Sequence, residues 1–173
     1  MKHINIIKAF VLLFTVSLFV SCDEGGEPDP GATATVEMAG DWYVKLLVNG
    51  IDIYGIGYYQ FSTYNTAANN GTEMWFDDHE LWPSKVKASI NLSSLTFSGA
   101  DLENEYYYTP SGSTTKVYPK ATITNGQIYK GGAVAPSGTV VDSITFDVEY
   151  SDDPGTIYQV AGYKRTGFLE DEH

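Results

Sequence analysis

The sequence predicts an all-β domain, an antiparallel up-and-down barrel of about eight to ten strands. Aromatic residues are abundant, with 13 Tyr, 8 Phe and 3 Trp, and such residues favour pleated strands. After residue 35, turn signals recur between short segments of alternating polarity, and no segment shows a helical period. A closed barrel is favoured over a sandwich because closure removes exposed strand edges.

Short segments between the turn signals are expected to form the strands. They are 41–48, 51–64, 73–77, 85–98, 105–109, 115–124, 127–134, 139–150 and 156–166. Asn49-Gly50 and Asn125-Gly126 predict two-residue hairpin turns, because both central residues of such turns take positive φ. Gly- or Pro-containing turns predict the other breaks, at 70–71, 110–112, 136–138 and 153–155.

Two of these segments alternate clearly between apolar and polar residues. Along 85–92 and 143–150 every second residue is apolar, which predicts strands with one buried and one solvent-facing side. In 51–64, Gly55 and Gly57 would share one face of the strand. Glycines there would permit a sharp bend or leave room for a ligand inside the barrel.

The N-terminus has the features of a lipoprotein signal peptide. Lys2 and Lys8 precede a short apolar run, 9–20, which fits a signal-peptide core and is too short to span a membrane. Ser21 follows the run and precedes the only cysteine, Cys22. This arrangement resembles the lipobox of bacterial lipoproteins, in which the thiol is lipidated. An ordinary secretory leader followed by a free cysteine is the alternative.

These features divide the chain into three parts. Residues 1–21 are predicted to be the signal peptide, 22–35 the lipidated cysteine with an acidic, flexible tether, and 36–173 the barrel domain. We therefore expect a lipid-anchored protein of the bacterial cell envelope, in the outer membrane. The acidic cluster resembles a surface-export signal of Bacteroidetes lipoproteins, whereas Asp23 would favour inner-membrane retention under enterobacterial sorting, so the membrane face stays open.

The charge balance excludes some partners. The chain has 22 acidic and 10 basic residues and a formal net charge of −12. Such a balance argues against nucleic acid and against electrostatic docking on anionic phospholipid. Membrane attachment must then come from acyl chains, and no protein partner is indicated.

A Gly-x-Trp sequence opens the first predicted strand. Gly40-Asp41-Trp42 stands there, and Lys164-Arg165 lies in the last strand. This pairing resembles lipocalins and other calycins, where a basic residue of the final strand packs over the indole. We expect Arg165 to close the barrel over Trp42, a cation–π contact worth about 0.5–2 kcal/mol. The alternative is a core tryptophan and an unrelated surface arginine.

Four separated blocks extend the resemblance. They are AGDWYV (39–44), TYNTAANNGTEMWFDD (63–78), VDSITFDVEYSDDP (141–154) and GYKRTGFLED (162–171). In this order they resemble a family of Bacteroidetes lipoproteins described as lipid-binding putative hydrolases, with a calycin-like barrel. The resemblance implies a barrel and names two activities, but it carries over no catalytic or ligand-binding residue.

Hydrolysis finds little support in the residues. There is no G-x-S-x-G nucleophile elbow. A Ser-His-Asp arrangement would have to use His79, with Asp77 or Asp78 and an unidentified serine. A glycosidase with two carboxylates is conceivable, because acids recur at 77–80 and 152–153. No catalytic residue is assigned.

No metal site or cofactor is assigned either. Asp77, Asp78, His79 and Glu80 offer suitable ligand atoms, but consecutive strand residues point to opposite faces. Asp142-Ser143-Ile144 resembles the acceptor motif of Bacteroidetes O-glycosylation, so Ser143 is a candidate modification site, with a plain strand residue as the alternative.

The aromatic residues favour ligand binding inside the barrel. An eight-stranded barrel either fills its interior with side chains or holds one small ligand. The candidate wall residues are Trp42, Tyr58, Phe61, Trp75, Phe76, Phe97, Phe146 and Tyr158. The leading hypothesis is a membrane-tethered, non-catalytic lipoprotein that binds a lipid or other small hydrophobic molecule. An envelope structural or interaction module with a filled barrel and a hydrolase using His79 are the alternatives.

Overall fold

Eight antiparallel strands form one closed barrel in the computed structural model, which describes residues 31–79 and 81–173. Neighbours in sequence are neighbours in the sheet, and the last strand closes on the first. The predicted fold class is therefore confirmed. The strands are β1 (Gly40–Leu47), β2 (Tyr59–Asn65), β3 (Glu73–Asp77), β4 (Lys85–Asn91), β5 (Thr96–Leu102), β6 (Ala121–Val134), β7 (Val140–Tyr150) and β8 (Tyr158–Lys164).

A single turn of 3-10 helix, Leu169–Asp171, follows the last strand. Within the described residues no helix is long and apolar enough to cross a membrane. The predicted signal peptide, residues 1–21, and Cys22 lie outside the described residues, so both the signal peptide and the lipidation of Cys22 stay predictions. Close packing begins before residue 36, because Thr35 is fully buried and the Ala34 amide donates to Asn69 Oδ1 at 2.8 Å.

The core of the protein is the barrel interior. In β7 the predicted alternation is confirmed, since Ile144, Phe146, Val148 and Tyr150 are buried while the residues between them are half-exposed. In β4, Val86 and Ala88 are likewise buried. Burial of one face of every strand is what closes the barrel around an apolar centre.

The predicted strand 51–64 is wrong over its first half, because β2 begins only at Tyr59. The preceding segment is a loop that wraps around one carboxylate. Asp52 accepts hydrogen bonds from the Ile56 amide at 3.1 Å and the Gly57 amide at 2.7 Å. Gly55 and Gly57 have φ of 65° and 74°, so these glycines serve the loop and do not widen the barrel interior.

The predicted strand 85–98 is two strands, β4 and β5, joined by a tight turn. The Asn91 side chain accepts from the backbone amides of Ser93 and Ser94, and Leu95 has a φ of 55°. A side-chain oxygen that takes local amides in this way ends a strand. The predicted strand 105–109 reduces to one bridge between Tyr108 and Val117.

The Asn125-Gly126 hairpin prediction is also wrong, since both residues lie within the continuous strand β6. Asn125 has the expected positive φ of 55°, but it forms a bulge in the pairing with β5 and β7. A Cβ on Gly126 would lie 2.3 Å from the Phe97 carbonyl oxygen. The glycine thus permits close strand approach, and pairing on both sides overrides the local turn preference.

The β6–β7 hairpin reaches past the barrel and packs against its outside. Ala135, at the hairpin tip, is buried with Tyr43 and Tyr163 in a second, smaller apolar cluster. The pairing of the hairpin shifts register between Tyr129 and Ala133. Gly131 and Gly132 lie at this shift, and Gly131 has a φ of 62°. Such a bulge bends a strand, which accounts for the tip lying over the outer wall.

Candidate functional site

Aromatic side chains fill the barrel interior. Phe76 and Phe97 have ring centroids 4.5 Å apart, Phe61 and Phe146 are 5.4 Å apart, and Phe97 and Phe146 are 5.5 Å apart. All four rings are buried. These predicted ligand contacts therefore contact each other and act as core residues.

The other predicted ligand residues are dispersed. Tyr158 is fully buried and lies beside Trp82, with ring centroids 5.4 Å apart. Trp75 is half-buried and lies on the outer face of β3, with the Lys85 and Lys87 ammonium groups 5.4 and 5.7 Å from its ring. Tyr58 lines an open cleft on the outside of the barrel.

That cleft, here called the outer cleft, lies against β1 and β8 on the outside of the barrel. Its volume is about 470 Å³, within the range of about 300–1,000 Å³ usual for small-molecule sites. The lining is largely apolar and comprises Lys45, Leu47, Tyr58, Ala133, Val134, Pro136, Ala161, Gly162 and Tyr163. The sequence pattern predicts a ligand inside the barrel and does not indicate this outer surface.

Three elements build the outer cleft. Outward residues of β1 and β8 form the floor, where Lys45 pairs with the small Ala161. The tip of the β6–β7 hairpin supplies Ala133, Val134 and Pro136. Small residues on the floor and a bent hairpin above it leave the space between them open. The Gly131-Gly132 pair within a predicted strand was the available sequence signal, because paired glycines in a strand mark a bulge.

Aromatic rings form one side of the outer cleft. Tyr58 and Tyr163 pack edge to face with centroids 5.3 Å apart, and Tyr43 lies 6.2 Å from Tyr163. Burial, followed by the neighbouring Tyr58, raises the pKa of Tyr163. The phenol thus stays neutral and available for hydrogen bonding over the physiological range.

Residues 166–173, here called the C-terminal strap, lie behind this aromatic side. The His173 ring stacks on Tyr58 with centroids 4.6 Å apart, and its Nε2 is 2.5 Å from the Tyr163 hydroxyl. Glu172 accepts from the Tyr43 hydroxyl at 2.6 Å and forms a two-point contact with Arg165. The strap therefore holds three tyrosines of the cleft region in place.

Asp171 fastens the C-terminal strap to the hairpin tip. Its fully buried carboxylate accepts from the Ser137 amide at 2.6 Å, the Ser137 hydroxyl at 2.8 Å and the Thr166 hydroxyl at 2.5 Å. Burial alone would raise the pKa of Asp171, but the hydrogen bonds from Thr166 and Ser137 outweigh it and lower this pKa. Hydrogen bonds from Arg165 and Tyr43 lower the pKa of Glu172.

We expect acid to release the C-terminal strap. The contacts of the bound strap lower the pKa of Asp171 and Glu172. The two ionised carboxylates therefore stabilise the bound strap at pH values above the ordinary carboxyl range near 4. That stabilisation is lost as the pH falls through the lowered pKa values. NMR contacts of His173 with Tyr58 and Tyr163, followed from pH 6 to 2, measure the release.

A double variant, Asp171→Asn with Glu172→Gln, is the control for this titration. Without the two carboxylates the acid transition of the strap contacts should disappear. Strap contacts that persist unchanged to pH 2 in the parent protein would contradict the expectation.

The predicted cation–π pair at the barrel seam has a different basic member. Trp42 is buried and its indole N–H donates to Thr63 Oγ1 at 2.9 Å. Lys164, which pairs with Trp42 in register, lies 5.8 Å from the indole. Arg165 is the next residue and faces the other way, 5.8 Å from the Tyr43 ring. Strand alternation therefore gives the role predicted for Arg165 to Lys164.

His79 has a serine partner that the sequence did not identify. Its Nε2 lies 2.7 Å from the Ser62 hydroxyl, and that hydroxyl donates to Asp41 Oδ1 at 2.6 Å. Because Ser62 has one proton and gives it to Asp41, His79 is the donor in its contact with Ser62. A Ser-His-Asp triad needs the reverse order, with histidine accepting the serine proton and the carboxylate on the other ring nitrogen.

The acidic residues near His79 are engaged in structural contacts. Asp77 accepts from the Tyr64 hydroxyl at 2.7 Å, and Asp78 accepts from the backbone amides of Trp82 and Ser84. Over residues 31–79 and 81–173, no group of three or more His, Cys, Asp or Glu side chains is placed to hold a metal ion. Glu80 lies outside the described residues.

Ser143, the candidate glycosylation site, lies within β7. It pairs with Tyr163 on one side and Tyr129 on the other, and it is half-buried. Its modification stays a prediction.

The closed, eight-stranded, antiparallel up-and-down barrel defines a protein of the calycin or lipocalin-like class. The family model for "lipid-binding putative hydrolase" matches residues 27–169. The chain belongs to this family, as the sequence blocks predicted. A comparison with curated proteins gave no match.

Proposed function

We propose that this protein binds a lipid or other small hydrophobic molecule in the outer cleft and does not hydrolyse it. The observation that carries the proposal is an open, largely apolar cleft of about 470 Å³ in a member of a lipid-binding family. Burial of apolar ligand surface there contributes about 25 cal/mol per Å². The barrel interior is a weaker candidate, because its phenylalanine rings already contact one another.

We propose that the protein is tethered to a membrane. The support is the sequence of the signal peptide and Cys22, with an acyl anchor supplying the attachment that the net charge of −12 does not favour. From the same features we infer that the protein resides in the bacterial cell envelope, with the outer membrane as the expected location. A binding protein anchored there would present its cleft to lipids of the same compartment.

The proposed lack of hydrolysis rests on the hydrogen-bond order around His79. Ser62 already donates its proton to Asp41, so His79 is not placed to accept it. Ser62 also lies within β2, whose backbone groups pair with β1 and β3. Amides engaged in strand pairing do not stabilise an oxyanion.

Native mass spectrometry with solvent extraction tests the proposal. The sample is the chain from residue 22 with Cys22→Ser, which removes the covalent anchor. We expect a stoichiometric, extractable acyl or isoprenoid mass that is recovered intact after incubation. A protein that stays ligand-free in mixed lipid extract would overturn the binding proposal, and recovery of hydrolysed products would overturn the non-catalytic part.

A pair of substitutions locates the binding site. Ala161→Phe places a large ring on the floor of the outer cleft, whereas Ala100→Phe places one on an exposed position of β5. We expect Ala161→Phe to abolish ligand retention and Ala100→Phe to preserve it. Equal retention by both variants would exclude the outer cleft as the site.

A further inference from the structure

The charge that lines the outer cleft is positive. Among the described residues that line it, Lys45 is the only charged one. This occurs in a chain with 22 acidic and only 10 basic residues. The cleft therefore has local positive charge against a negative background.

Lys45 is held at the cleft without a carboxylate partner. Its ammonium lies 4.5 Å from the centroid of the Tyr58 ring, and the side chain is half-buried. Other lysines, such as Lys87, Lys120 and Lys130, form ion pairs with acidic residues. No ion pair of Lys45 occurs within the described part of the chain.

Glu172, on the far side of the cleft tyrosines, does not neutralise the positive charge of Lys45. Glu172 contacts Tyr43 and is paired with Arg165. The Tyr58 ring attracts the Lys45 ammonium through its π face but supplies no full negative charge. The donor hydrogens of Lys45 are thus available to a ligand at the edge of the apolar surface.

We propose that the ligand is an amphiphile with one apolar chain and an anionic headgroup, a carboxylate or a phosphate, that binds Lys45. This inference rests on the proposed function and names its ligand class. The apolar residues Leu47, Val134 and Pro136 would contact the chain. The cleft volume of about 470 Å³ lies toward the lower end of the usual range for ligand sites, which favours one chain over two.

Three probes that share a chain and differ in headgroup test the inference: hexadecanoate, hexadecyl phosphate and hexadecanol. Their affinities are measured by titration calorimetry on the chain from residue 22 with Cys22→Ser. We expect at least one anion to bind about five- to tenfold more tightly than the alcohol, the range of a charge-assisted contact at a partly exposed site. The two anions distinguish a carboxylate from a phosphate headgroup.

Substitutions then assign the preference to Lys45. Lys45→Met should remove the preference for the anion, and Lys45→Arg should retain most of it. Lys116→Met is the matched control, because Lys116 also lies over a tyrosine ring, 3.9 Å from the Tyr107 centroid, but outside the cleft. This control should keep the parent's preference.

The outcomes separate this inference from the proposed function. If the alcohol binds as tightly as both anions, or if Lys45→Met keeps the preference, the headgroup inference is wrong while ligand binding stands. If none of the three probes binds, the headgroup inference is wrong, and a protein that also stays ligand-free in mixed lipid extract shows that the proposed function is wrong as well.

Discussion

Gly162→Ala is expected to destabilise the protein by about 3 kcal/mol or more, a large part of the 5–15 kcal/mol typical of a domain. Gly162 lies in β8 and pairs with Val44 in β1 and Ile144 in β7. A Cβ there would lie 2.0 Å from the Tyr43 carbonyl oxygen and 2.6 Å from the Val44 Cα. Both contacts are to backbone, so relief requires the two strands to separate.

Urea unfolding followed by circular dichroism measures this loss. Gly40→Ala is the matched control at the same seam, because its Cβ would meet Lys164 Cε at 2.8 Å. That atom is near the end of a flexible side chain and can move away. A Gly162→Ala variant as stable as Gly40→Ala would show that β1 and β8 do not approach as closely as described.

Phe146→Ala is expected to lower the free energy of unfolding by about 3–5 kcal/mol. The Phe146 ring lies 5.4 Å from that of Phe61, 5.5 Å from that of Phe97 and 6.5 Å from that of Phe76. Its removal deletes contacts on several sides at once and leaves a cavity in the middle of the barrel. Thermal and urea unfolding both measure the effect.

Phe168→Ala is the control for this loss. Phe168 is 51% exposed, so its truncation should change stability by about 0.5 kcal/mol or less. An apolar cavity that stays dry can accept benzene, and we expect benzene to raise the melting temperature of Phe146→Ala and not that of the parent. A loss below about 1 kcal/mol would mean that the phenylalanine rings do not fill the interior.

The strands that alternate in polarity were predictable because a barrel buries one face of each strand. The alternation of apolar and polar residues along β7 predicts its buried residues, including Phe146, directly. Local turn chemistry was less reliable. Asn125 has the positive φ of a turn residue, yet neighbouring strands on both sides keep Asn125 and Gly126 within β6.

The candidate site was less predictable than the fold. An aromatic residue that fills a barrel and one that lines a ligand site have the same pattern in sequence, so Phe61 and Tyr58 could not be separated. The outer cleft combines outward residues of β1 and β8 with a hairpin that bends over them. In the sequence, Lys45 and Ala161 have the pattern of solvent-facing residues. They line a cleft only because the β6–β7 hairpin bends at Gly131 and covers them.

The pairing of β1 with β8 also determines when the barrel can close during synthesis of the chain. Trp42 and Lys164 are partners across the seam, so the first strand has no second neighbour until the last one has been synthesised. Pairing between distant parts of a chain forms slowly. A partly made chain therefore keeps the outer edges of β1 and of its newest strand open, and completion of the barrel waits for the arrival of 158–164.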